Sequence, residues 1–155
     1  MKKKQKGFSL IELLIVVAII LIIAAIAIPN LLKSRIAANE ASAVGSVRTL
    51  NTAQVTYNSS CQAYANGIGE LNTGTTCAAG ANIIDATLAT GSKSGYTFTV
   101  IAPGTTPGGT NTTTFDINAD PITANVTGVR HFFTNETLVI RVNPAAAATR
   151  ASTPL

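Results

Sequence analysis

The chain has 155 residues, 46% of them hydrophobic, and its 11 Lys plus Arg against 7 Asp plus Glu give a formal charge of +4. Position changes what those averages mean: Lys2, Lys3, Lys4 and Lys6 supply the whole excess, and beyond residue 7 the seven remaining cations equal the seven acids. A nucleic-acid-binding face needs Lys and Arg spread over a folded domain, so this charge distribution excludes that class and predicts no nucleic-acid partner. The hydrophobicity is equally local, because 19 of the 21 residues from 8 to 28 are apolar. Length then leaves room for one apolar segment and one modest core.

The chain opens Met-Lys-Lys-Lys-Gln-Lys, then Gly7, Phe8, Ser9, Leu10, Ile11 and Glu12, and residues 13–28 carry no polar side chain. At about 1.5 Å per residue, a helix over 8–28 rises roughly 31 Å, close to the hydrocarbon thickness of a bilayer. The Lys cluster ahead of it predicts a cytoplasmic N-terminus, with the rest of the chain on the outer side.

Three readings compete for this segment. A secretory signal peptide fits the small-x-small pattern Ala25-Ile26-Ala27, but its apolar region is usually about 7 to 15 residues and lacks a carboxylate near its start. A plain membrane anchor leaves Glu12 without a purpose, although an acidic side chain at the centre of a bilayer costs about 2.5–3.5 kcal/mol on insertion scales. The third reading supplies the purpose. The string Lys6-Gly7-Phe8-Ser9-Leu10-Ile11-Glu12-Leu13-Leu14 closely resembles the prepilin leader of type IV pilins and type II secretion pseudopilins. That resemblance implies cleavage between Gly7 and Phe8 by a membrane-embedded prepilin peptidase, and methylation of the new Phe8 amine. It also implies an assembly role for Glu12. A cationic amine on Phe8 and a carboxylate at matching depth on a neighbouring subunit would satisfy each other in an apolar filament core, where either alone is costly.

Pro29 follows the apolar run. In the resembled family a Pro here lies inside one long helix that is kinked or locally melted in filaments, and a missing donor plus a ring clash gives the physical basis for a bend. Starting a second helix is the alternative, since Pro is tolerated in a first turn. Beyond it, Ile36, Ala43, Val47, Leu50 and Ala53 define one apolar face of an amphipathic helix ending near Tyr57, with Asn58-Ser59-Ser60 as the stop signal.

Residues 58–95 read as a loop-rich stretch in which 83–88 forms one helical turn or a short strand. Cys61 and Cys77 are the only cysteines. With the head outside the cytoplasm they are expected to form a disulfide, which would contribute about 3 kcal/mol on the loop-entropy estimate. A metal site or redox pair lacks neighbouring ligands and the Cys-x-x-Cys spacing.

The C-terminal half predicts strands at 96–102, 114–119, 129–133 and 137–142, with Phe115, Ile117 and Ala119 on one face and Thr134-Asn135-Glu136 as a hairpin connection. A Pro/Gly/Thr loop occupies 103–110. The stretch 126–141 also resembles the closing hairpin of many pilin-like proteins. Residues 143–155 read as a loosely held tail. His131, the only histidine, reads as a plain strand residue. Asp116-x-Asn118-x-Asp120 has the start of a calcium loop, yet Pro121 stands where the turn needs Gly, and on a strand the three side chains spread along one face. Gly104, Gly108 and Gly109 lack the Lys-Ser/Thr of a phosphate loop.

The expectation is an α+β pilin fold: a long N-terminal helix, apolar in its first half, packed by its second half on an antiparallel sheet of three or four strands. The divisions are a cleaved leader at 1–7, a transmembrane and filament-core helix at 8–29, an amphipathic helix at 30–57 and a head at 58–155. The expected function is that of a structural subunit, not an enzyme, with no cofactor and no metal site. It would wait in the inner membrane with its head periplasmic, then join a homo-oligomeric surface pilus through the assembly machinery. A pseudopilin of a type II secretion or DNA-uptake system is the nearer alternative, and a secreted binding domain released after Ala27 the more distant one.

Overall fold

A computed structural model describes residues 8–73, 82–102 and 113–155. Contacts divide the chain into two compact units, residues 1–35 and 36–155. Helix α1, Leu10–Cys61, contributes to both. It is followed by two single-turn helices, α2 at Glu70–Thr73 and α3 at Ala86–Ala89. Among the described residues there are six strands: β1 at Ser92–Lys93, β2 at Tyr96–Ile101, β3 at Asp116–Pro121, β4 at His131–Asn135, β5 at Arg141–Asn143 and β6 at Thr153–Pro154.

In the first unit α1 starts after Ser9, whose carbonyl accepts from the Glu12 and Leu13 amides at 3.1 and 3.2 Å. The helix then runs unbroken through Pro29, so Pro29 does not begin a separate helix.

In the second unit, α1 buries Ala43, Val47, Leu50 and Ala53, the expected apolar face, with Ile36 half-buried. On the exposed face Thr hydroxyls bond back one turn, Thr49 to Gly45 O and Thr52 to Arg48 O, as Ser and Thr do inside helices. The helix runs past the expected stop at Tyr57 to Cys61. Ser59 and Ser60, part of the expected stop signal, both donate to Thr56 O within the last turn. Gln62, at φ 54°, then takes the left-handed position, and its amide closes on Asn58 O at 2.8 Å.

The sheet is an antiparallel meander in strict chain order, β1 through β6. The sequence predicts three or four strands, and six are present among the described residues. The first addition, β1, is created by the dipeptide Ser94-Gly95. Both residues have positive φ, 51° and 76°, as a two-residue hairpin turn with the sheet's own twist requires, and Lys93 pairs with Tyr96 across it. The second addition, β6, corrects the reading of 143–155 as a loose tail. Val142 pairs with Thr153, Arg141 with Pro154, and the Leu155 amide donates to Ile140 O at 2.9 Å. The tail is held because Phe133, on the sheet face away from the core, would otherwise lie open; it is 4% exposed, and Ala148 lines the same groove.

The strands expected at 114–119 and 129–133 lie two residues later, and the turn between β4 and β5 moves with them. Asn135 Oδ1 accepts from the Thr137 amide and hydroxyl, and the Leu138 amide returns to Asn135 O. That side-chain-built turn puts Thr134 and Asn135 inside β4. The core lies between α1 and Phe115 together with the inward residues of β2, β3 and β4: Tyr96, Phe98, Val100, Ile117, Ala119 and Phe132. Phe115, Ile117 and Ala119 share the inner face, as the alternation indicated. Loop 62–69 and helices α2 and α3 close the core's end with Ala65, Leu71, Ile84 and Leu88. Residues 83–88 read as one helical turn or a short strand, and helix α3 forms there because Asp85 caps it: its Oδ1 accepts from Leu88 N at 2.6 Å.

Candidate assembly segment and head anchors

In the first unit the apolar helix is bare. Seventeen large hydrophobic side chains between Phe8 and Leu32 are exposed, from 43% at Leu32 to 79% at Leu10. At about 1.5–3 kcal/mol for full burial of each one, scaled to the part still exposed, they forgo roughly 15–30 kcal/mol, above the ~5–15 kcal/mol stability of an ordinary domain. Such a surface requires a cover. By length and composition this helix is able to cross a membrane.

Its sides differ. Leu10, Leu13, Leu14, Val17, Ala18 and Leu21 form a shallow apolar stripe at the i, i+3, i+4, i+7 spacing of one helix face. With 3.6 residues per turn, Glu12 falls on the opposite side, in line with Ile15, Ile19, Val16, Ile23 and Ile26. The carboxylate therefore belongs to a β-branched face, and the leucines make a separate one. Glu12 is the sole ionisable side chain in residues 8–32.

Of the residues singled out in the sequence, Phe8, Glu12 and Pro29 lie in this unit, while Gly7 lies outside the described residues. Cys61 ends α1 half-buried against the core, and among the described residues no cysteine is free. Cys77 is outside the described residues, as are Gly104, Gly108 and Gly109. The Asp116, Asn118 and Asp120 side chains do share one face of β3. Asp116 is taken by Arg150 at 2.7 Å, and Asp120 by His131 Nδ1 at 2.6 Å. Among the described residues no group of three or more His, Cys, Asp or Glu side chains converges.

The head contains polar anchors that periodicity did not reveal. Glu40, 7% exposed, accepts at Oε1 from the Val129 and Arg130 amides at 3.0 and 3.1 Å, and at Oε2 from Arg130 Nε at 2.7 Å. Burial is the largest influence on this carboxyl and opposes its ionisation. The two amides and the guanidinium together outweigh it and hold the group below its ordinary value. Arg130 also lies over the Phe132 ring at 5.5 Å. Gln54, fully buried, pairs with the backbone of Ala65 at 3.0 and 2.9 Å, as a neighbouring strand would. Arg150 forks onto Glu136 at 2.7 and 3.0 Å as well as onto Asp116. The usable signal for Glu40 was a carboxylate at the helical spacing of the buried stripe, three residues before Ala43.

A long helix, apolar in its first half, with a C-terminal antiparallel meander is an α+β arrangement consistent with the pilin fold. The family model described as the prokaryotic N-terminal methylation motif matches residues 2–28. The chain is similar to the type IV major pilin protein PilA of Myxococcus xanthus, 43% identical over 68 residues, 44% of this chain and 31% of that protein. It is also similar to the type IV wide pilus major component PilA4 of Thermus thermophilus, 63% identical over 38 residues, 24% of this chain and 29% of that protein. The matches span about a third of the length of these curated relatives.

Proposed function

We propose that this chain is a structural subunit of a type IV pilus-like filament. A prepilin peptidase cuts it between Gly7 and Phe8 on the cytoplasmic side, the Phe8 amine is methylated, and the subunit waits in the inner membrane with its head on the outer side. On extraction, helices pack against one another and the Phe8 amine of one copy pairs with Glu12 of its neighbour. Pro29 provides a weak point in the helix, since it removes the amide that would donate to the Ala25 carbonyl. Cys61 and Cys77 close the loop between them as a disulfide.

The observation that carries this reading is the bare helix with one carboxylate, within the span matched by the methylation motif. A bilayer can cover the hydrocarbon but leaves Glu12 costly near its edge, whereas a filament of copies covers both. The likeness to two major pilus components adds to it. The deciding experiment is intact mass of the mature chain recovered from sheared surface filaments. A product beginning at methylated Phe8 is expected; a chain starting at Ile28, or absence from filaments, defeats the proposal.

A further inference from the structure

The second unit, residues 36–155, carries six acidic side chains and five Lys or Arg; its segments 74–81 and 103–112, outside the described residues, contain none of either kind. Ion pairs within the unit take most of them. Glu40 meets Arg130, Asp85 meets Lys93, Arg150 holds both Asp116 and Glu136, and Asp120 lies against His131. Arg141 is turned inward, with Nη1 donating to Ser152 O at 2.9 Å and Nε buried. One exposed cation, Arg48, and one carboxylate without a cation, Glu70, are left over.

Within a single copy these two stand on opposite sides of α1. Glu70 Oε2 accepts from the Asn66 amide at 3.0 Å and from the Tyr57 hydroxyl at 3.4 Å, and Tyr57 is buried on the core side of the helix. Arg48 precedes Tyr57 by nine residues, about two and a half turns at 3.6 residues per turn, so it projects from the opposite side and is exposed there. Both bonds to Glu70 fall on Oε2, which leaves Oε1 for a partner outside the subunit. Access to it is open, because a Cβ at Gly67 or Gly69 would meet nothing within 4 Å.

Arg48 rims a groove with Asn51, Thr52, Val55 and Leu138. Val55 and Leu138 are each 46% exposed, and Leu138 is held at φ 62°. Asn51 is 7% exposed; its Nδ2 donates to Thr134 Oγ1 at 3.1 Å, while its buried Oδ1 has no partner among the described residues. A free anion would answer Arg48 alone. A turn of polypeptide that carries a carboxylate also brings apolar contact and N–H donors, which the rest of the groove lacks.

We propose that Arg48 of one copy pairs with Glu70 of the next, with the Glu70 turn seated in the Arg48–Leu138 groove. The contact joins two different patches of the same unit, so it is heterologous, the kind of interface that can continue from copy to copy as a helical filament. Charge matching of this sort sets register between copies more than it adds affinity. The proposal rests on the filament function given above and supplies that filament with a contact between heads.

Sheared surface filaments provide the test. Arg48→Glu is expected to lower filament yield at least fivefold with the urea midpoint of the head unchanged, and Arg48→Glu combined with Glu70→Arg to recover yield to within twofold of wild type. Cross-linking reads the pair directly: a chain with Arg48→Lys and Glu70→Gln, co-expressed with the wild-type chain, can join position 48 to Glu70 through a carbodiimide only between copies. A covalent dimer with that linked peptide is expected. Wild-type yield from Arg48→Glu overturns the pairing and leaves the filament reading intact, as does a folded double reversal that fails to recover. A dimer linked from position 48 to another carboxylate, or no dimer, also overturns it. Should Glu70→Arg spoil the fold, the cross-link decides alone. Absence of the wild-type chain from filaments defeats the filament reading itself, and the pairing with it.

Discussion

Glu40 and Arg130, 90 positions apart in the chain, meet at 2.7 Å, and the same carboxylate takes two backbone amides of the segment that carries Arg130. One side chain of α1 thus fixes the start of β4 in three bonds. Removing it takes the acceptor from two part-buried amides and from the Arg130 guanidinium, so Glu40→Ala is expected to destabilise the head by about 1–2 kcal/mol, read as a lower urea midpoint of the full chain in detergent. Glu40→Ala at wild-type stability would show the pin to be idle.

Acid should act through the same group. The folded pKa of Glu40 lies below its ordinary 4.5, despite burial, because the Val129 and Arg130 bonds favour the anion. A depressed carboxyl contributes stability that is complete above the unfolded value and is lost as pH falls through the folded one. Melting temperature is therefore expected to drop below pH 4.5, and to drop less in Glu40→Gln. Parallel pH profiles for the two proteins would contradict this.

Gly128→Ala is expected to cost roughly 1–3 kcal/mol by overpacking. Its new methyl would collide with the Tyr96 hydroxyl and with ring atoms at 2.5 and 2.7 Å. Tyr96 is fully buried and donates to Arg130 O at 2.8 Å, so the ring has no free direction to move. Thermal unfolding followed at the sheet's dichroism band measures the loss. By contrast Gly45→Ala meets open space within α1 and should be neutral or slightly stabilising.

Arg150 clamps the C-terminal segment to the rest of the head through Glu136 and Asp116. Since all three side chains are partly solvated, Arg150→Ala should cost less than about 1 kcal/mol globally. Its local signature should be larger: hydrogen exchange at Leu155, whose amide is held by Ile140 O, is expected to quicken at least tenfold. Unchanged exchange would mean that β6 holds itself.

Glu12→Ala should leave the head's stability unaltered, because Glu12 belongs to the first unit and the head core to the second. Surface filament yield should fall sharply. Wild-type yield from this variant would remove the Phe8–Glu12 pairing from the assembly scheme, and a bulky residue at Gly7 should separately leave uncleaved precursor in the membrane.

What was legible in the sequence followed from periodicity and from one local string. Alternation at 114–119 correctly turned Phe115, Ile117 and Ala119 inward, and Ala43, Val47, Leu50 and Ala53 carried the helix face. Less visible were features whose cause lies elsewhere in the chain. Glu40, Asn51 and Gln54 are polar, yet they are buried because partners at Arg130, Thr134 and Ala65 meet them. The two-residue strands escaped notice because nothing in Ser92–Lys93 or Thr153–Pro154 alternates; a turn at Ser94-Gly95 and a clamp at Arg150 make them. At the N-terminus the reading of residues 6–14 needed only a motif and an apolar run, both local.

The meander order has a kinetic side. Each strand pairs with its immediate neighbour in the chain, so loop closures within the sheet are short, whereas Glu40, Asn39 and Asn51 of α1 find partners 83 to 90 residues away. Low sequence separation favours early pairing. The hairpins are therefore expected to zip first, with the helix docking afterwards as a late closing step. Pulse-labelled amide exchange should show the β2, β3 and β4 amides protected before those of Val129 and Arg130, which wait for Glu40.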